Sequence, residues 1–197
     1  ALLGEVGRIA EVAQQQGALE ALVAQSESQR QELWKARRGV SPALRKMAKF
    51  KISDDIVVPR SRIPEMIERT LQIGAELGLK VATYGHAGDG NLHANVLYDS
   101  KDDWPRVEQA LGRILEATVS LGGTITGEHG VGVEKLNSMC VQFSRPELDA
   151  FFAVKRAFDP HMLLNPDKAI PTLHRCAEMG KMRVANGQLP FAHLPRF

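Results

Sequence analysis

The sequence predicts an α+β domain, a ferredoxin-like antiparallel sheet with helices on one face, plus C-terminal helices and an irregular tail. Three observations carry this. Between residues 50 and 126 the segments run strand, helix, strand, strand, helix, strand. The two middle strands flank Asp89-Gly90, a strong hairpin signal because a two-residue type I′ turn needs positive φ at both positions. The helical segments carry apolar stripes, and 44% apolar residues in 197 are enough for a core.

Taken in order, residues 5–16 predict a helix with Val6, Ile9 and Val12 on one face, closed by Gly17. A more polar helix is predicted from Ser26 to Arg38, ending at Gly39. FKISDDIVVP, from Phe50 to Pro59, has strand character. Ser61 then reads as the cap of a helix whose Ile63, Met66, Ile67, Leu71 and Leu77 form a stripe ending at Gly78. Lys80–Tyr84 and Leu92–Tyr98 read as the hairpin strands. Trp104 to Leu121 reads as a helix with Pro105 in its first turn and Gly122-Gly123 after its last. Thr124–Thr126 predicts a short strand, GEHGVGVEK leads into a helix, and Arg145–Phe158 forms another. DPHMLLNPDKAIP breaks regular structure, and the stretch to Phe197 is expected to be irregular.

Formal net charge is +2, from 25 basic and 23 acidic residues, so the chain lacks the excess needed to neutralise many phosphates. The basic residues are nevertheless clustered: positions 35–51 hold Lys35, Arg37, Arg38, Arg45, Lys46, Lys49 and Lys51 with no acidic residue. That is a local positive field suited to a small anion. No apolar run reaches the roughly 18 residues of a membrane span. Cys140 and Cys176 are far apart with no CxxC pair, which favours a cytoplasmic setting but leaves a disulfide open; Cys140 is expected in the core. The chain opens on Ala in helix-like sequence, so a fragment of a longer protein is expected.

The chemistry-bearing residues sit in glycine-rich loops. In YGHAGDGNLHANVLYD, a two-residue turn centred on Asp89-Gly90 places His86 directly opposite His93, close enough for two imidazoles to converge on a metal, with Asn95 next on the same face; a longer loop over Gly88–Asn91 changes the pairing in detail but still allows both rings to meet. GTITGEHGVGVEK supplies Glu128 and His129 at the mouth of a predicted strand, where one can ligate while the other faces a different group. Neither motif has GxGxxG or GxxxxGK[ST] spacing, so neither is a phosphate cradle.

GHAGDGNLHANV, GTITGEHGVGVEKL and AFDPHMLLNPDKAIPTLHRCAEMG together resemble the C-terminal substrate domain of FAD-linked oxidases of the vanillyl-alcohol oxidase type. That group contains D-lactate and D-2-hydroxyglutarate dehydrogenases. The tail IPTLHRCAEMG is similar to the FAD-binding subunit of bacterial glycolate oxidases, whereas RGVSPALRKMAKFKISDD fits the lactate or hydroxyglutarate branch, which leaves the substrate open. The resemblance implies metal-ligand positions at His86, His93 and Glu128, and a catalytic base at His129. It also implies substrate contacts at Arg37, Lys51 and Asn95, and a flavin-facing position at Asn165. Residues 1–143 would form the substrate (cap) domain, and 144–197 would return to an FAD-binding domain that this sequence does not resemble.

The implied reaction is oxidation of a 2-hydroxy acid to a 2-oxo acid, with hydride transfer to FAD and the hydroxyl proton passing to His129. Two imidazoles and a carboxylate suit Zn²⁺ first, and Fe²⁺ or Mn²⁺ as well. The tail with His174, Cys176 and Met179 is expected to dock an iron-sulfur electron-acceptor subunit, peripheral to the inner membrane if at a membrane at all. Two rivals stand beside this: a flavin-independent metallohydrolase using the same ligands, opposed by the absence of HExxH, and a non-catalytic partner-docking α+β module.

Overall fold

The computed structural model describes residues 2–171. They fall into two compact units, divided between Lys46 and Met47. The first holds α1 (Leu2–Gln15) and α2 (Glu27–Arg45). Ser26 caps α2 by accepting from the Gln29 N–H at 3.2 Å. The helix does not stop at Gly39: it continues through Pro42 to Arg45. Gly39 has no positive φ, so it is an ordinary helical glycine rather than a left-handed stop. The cost of Gly39, about 1 kcal/mol against alanine, is set against good helix formers in Ala43, Leu44 and Arg45. Ile9 and Val12, the expected stripe of α1, are exposed.

The second unit contains β1 (Phe50–Val57), α3 (Ile63–Glu76), β2 (Lys80–His86), β3 (Asn91–Tyr98), α4 (Trp104–Ser120), α5 (Met139–Gln142) and α6 (Arg145–Phe158). Its sheet is antiparallel in the order β1-β3-β2. The predicted Thr124–Thr126 strand is reduced to one bridge, Val57 to Thr124, on the free edge of β1. That is the edge a fourth ferredoxin-like strand would occupy. Pairing stops there because Lys135 Nζ donates to both the Asp55 and Ile125 carbonyls, satisfying edge acceptors that a further strand would have used.

Period-two alternation gives the sheet two different faces. Ile52, Ile56, Leu92, Ala94 and Val96 point into a core built with Met66 and Ile73 of α3 and Val107, Ala110 and Ile114 of α4. Cys140 packs on this core as expected. Lys51, Ser53, Asp55, Asn91, His93 and Asn95 alternate onto the other face. α3 begins differently from expectation: a 3-10 turn at Arg60–Arg62 precedes it, Arg62 is the cap residue, and Ser61 makes no capping bond. Pro64 in its first turn provides the start instead. Its buried side is Met66, Thr70, Ile73 and Gly74, so Leu71 is exposed. Gly74 turns that side inward because a Cβ there would meet Val81 Cγ2 at 2.6 Å.

α4 matches expectation, with Gly122 following at φ +76. Ser144 and Glu147 form a reciprocal capping box on α6. Among the described residues no helix is long and apolar enough to cross a membrane. His174, Cys176 and Met179, with the docking surface expected there, lie outside the described residues.

Candidate metal centre and active site

The hairpin register differs from the two-residue prediction. His86 pairs with Asn91, and His93 pairs with Tyr84, so the connection is four residues, 87–90. The cause is β1. Val58 N–H donates to the Gly90 carbonyl at 3.0 Å, pulling Gly90 into the ladder, and Gly90 has φ +73 with no room for a Cβ against Val58 O. His86 and His93 are therefore diagonal neighbours rather than a facing pair. They remain on one face, with ring centroids 5.8 Å apart.

The Gly127–Gly130 loop brings the third donor. Glu128 Oε1 lies 3.1 Å from His93 Nε2 and 3.9 Å from His86 Nε2. One donor atom from each of His86, His93 and Glu128 lies within 4.8 Å of the others. These donors fit a divalent cation: two imidazoles and one carboxylate converge from a rigid hairpin and a loop. His93 is buried, and burial holds its pKa below the ordinary imidazole value, helped by His129 and His86 against the opposing pull of Glu128 and Asp55. Burial thus favours the neutral ring, the form that ligates.

His129 stacks on His93 at 5.5 Å between centroids, with Nε2 3.8 Å from Glu128 Oε1. Its side chain is exposed, which leaves the imidazole open to an incoming molecule. On the same sheet face Lys51 Nζ donates to Asn95 Oδ1 at 3.0 Å. Asn95 is fully buried, its amide donating to the His93 carbonyl at 2.8 Å and the Ala82 carbonyl at 3.1 Å. It thus reaches the surface only through Lys51. Arg37 lies on α2 in the first unit. Asn165 lies after α6 at φ +46, lining a shallow cavity with Phe152, Lys155, Met162 and Lys168.

Sequence reading missed Asp54, Asp55, Asn91 and Lys135. Asp55 is 1% exposed. Burial opposes its ionisation, yet bonds from the His129 N–H, the Asn91 side chain and the Gly127 and Glu128 N–H groups hold its carboxyl well below the usual carboxylate range. Asp54, on the opposite face, pairs with Lys135 at 2.8 Å; burial still pushes its carboxyl upward. The available signal was the Asp54-Asp55 pair inside an otherwise strand-like run, since buried carboxylates require partners.

The description "FAD linked oxidases, C-terminal domain" matches residues 3–169. Glycolate oxidase subunit GlcD of Escherichia coli strain K12 is 43% identical over 192 residues, 96% of this chain and 38% of that protein. A D-lactate dehydrogenase of Anaerostipes hadrus is 30% identical over 83% of this chain and 35% of its own length. A D-2-hydroxyglutarate dehydrogenase of Xanthomonas citri pv. viticola is 32% identical over 77% of this chain and 33% of its own. The chain thus spans 38% or less of the length of these relatives.

Proposed function

Because the chain belongs to the family of C-terminal domains of FAD-linked oxidases, we propose that it forms the substrate-binding and catalytic half of a flavin-dependent 2-hydroxy acid dehydrogenase or oxidase. The observation that carries this is the convergence of His86, His93 and Glu128 with the exposed His129 ring stacked beside them. Glycolate-like and D-lactate-like acids are the candidate substrates, following the names of the relatives.

His86, His93 and Glu128 hold a divalent cation, Zn²⁺ first and Fe²⁺ or Mn²⁺ by the same donor set. When bound, such a cation supplies Lewis-acid polarisation of substrate oxygens. Lys51, steadied by Asn95, presents a positive charge to the substrate carboxylate. His129 accepts the hydroxyl proton, imidazole being the side chain suited to proton transfer near neutral pH. A flavin held outside this chain would supply the hydride acceptor, so that with the hydroxyl proton on His129 the product would be the 2-oxo acid. Asn165 and the described residues 144–171 would return toward the domain that holds it. An iron-sulfur subunit docked on the tail would take the electrons onward.

Calorimetric titration of metal-loaded protein with glycolate, D-lactate and D-2-hydroxyglutarate tests the reading. At least one binds, and the matching acid without its 2-hydroxyl binds more weakly. Equal affinity with and without the hydroxyl overturns it, as does metal-dependent ester or amide hydrolysis without flavin.

A further inference from the structure

Glu128 and His129 sit on a glycine-flanked loop, and such a segment has no intrinsic reason to aim two side chains at a fixed point. The loop is nevertheless anchored at one atom. Asp55 Oδ2 accepts the three successive N–H groups of Gly127, Glu128 and His129, at 2.8, 2.9 and 2.9 Å. The Thr126 hydroxyl adds a fourth bond at 3.3 Å. Asp55 Oδ1 accepts from Asn91 Nδ2 at 2.6 Å, and Asn91 also donates to the Ile56 carbonyl. Asp55 lies opposite His93 in the β1–β3 register, with Oδ1 4.0 Å from His93 Nδ1. One carboxylate therefore joins the sheet that carries the histidines to the backbone that carries the acid.

We propose that Asp55 is the positioning residue of this site, the group that aims Glu128 and His129 at the histidine pair before any cation arrives. This rests on the reading of His86, His93 and Glu128 as metal ligands. Two features support it independently. Lys135 Nζ donates to the Asp55 carbonyl and to the Ile125 carbonyl, fixing the loop's entry to the same residue. Gly127 leaves no room for a side chain: a Cβ there would run into Asn91 Nδ2 and crowd Val57 Cγ2 at 2.8 Å and Asp55 Oδ1 at 2.9 Å. Every bond in the anchor joins groups of the protein, so none of them requires the cation. That lowers the ordering cost of binding.

Two variants test this, Asp55→Asn and Gly127→Ala, the second keeping every functional group. In metal-free wild type the amides of residues 127–129 are protected from hydrogen exchange. In both variants that protection is lost while the β3 amides keep theirs. Co²⁺ affinity, measured against a chromophoric chelator, falls about 10- to 100-fold, the usual loss when a partner behind the ligands is removed. The visible spectrum of bound Co²⁺ also changes, which a purely structural role would not cause. Variants with protected β3 amides and wild-type Co²⁺ affinity and spectrum overturn the proposal. If wild type takes up no Co²⁺, the metal reading fails, and unprotected 127–129 amides in metal-free wild type refute the anchor separately.

Discussion

β3 is buried on both faces by opposite chemistry. Toward α3 and α4, Leu92, Ala94 and Val96 are at most 4% exposed and belong to the apolar core. On the other face Asn91, His93 and Asn95 are at most 7% exposed, yet each meets a polar partner. The apolar face is satisfied by many packings of similar volume. The polar face admits far fewer, because an amide or imidazole left without its partner costs about 1–3 kcal/mol. Burial is therefore common to both sides of the strand, and precision of placement comes from the polar one.

The largest expected effect breaks the apolar side. Met66→Ala removes a fully buried side chain beneath the sheet and should cost about 2–5 kcal/mol in urea unfolding, with the slope unchanged. A loss under about 1 kcal/mol would mean that the helical layer is not what holds the sheet. Next, Lys51→Met removes the charge on the polar side. Calorimetry should find 2-hydroxy acid affinity reduced about 10- to 100-fold, corresponding to a charge-assisted bond of about 1.5–3 kcal/mol, with cation uptake intact. Unchanged acid affinity would remove Lys51 from the site.

Acid unfolding sharpens the comparison further. The Asp55 pKa is lowered by folding, so its stabilising contribution is fully present above its ordinary value of 3.8 and is lost as pH falls through the lower folded value. Asp54 is shifted the other way, so its contribution declines as pH rises through its raised value. Asp55→Asn should therefore flatten the fall of unfolding free energy below about pH 4, while leaving the Asp54 component. An acid limb as steep as in wild type would contradict this. The smallest effect is expected at Leu71→Ser, on the exposed side of α3: within about 0.5 kcal/mol by thermal melting, although the sequence stripe placed it in the core.

Much of the fold was legible because local signals and tertiary packing agree. The strand order, the α4 boundaries with Gly122 and the span of α6 follow from periodicity and caps. What was illegible depended on distant partners. His86 slipped from the position opposite His93 because Val58, just past the end of β1, holds Gly90. The 124–126 segment failed to become a strand because Lys135 and the Asp55 carboxylate take its place on the edge of β1. The convergence of His86, His93 and Glu128 survived the slip since a diagonal pair stays on one face. The same residue spacing gave no hint of Asp55, whose importance lies in backbone N–H groups more than seventy positions away.

The most direct measurement is the metal content of purified protein by elemental analysis, wild type against His86→Ala. The account predicts one divalent cation per wild-type chain and little or none in the variant, with both folded by far-ultraviolet circular dichroism. A wild-type chain that takes up no cation after incubation with Zn²⁺, Mn²⁺ and Fe²⁺, or a variant that retains a full equivalent, would contradict it.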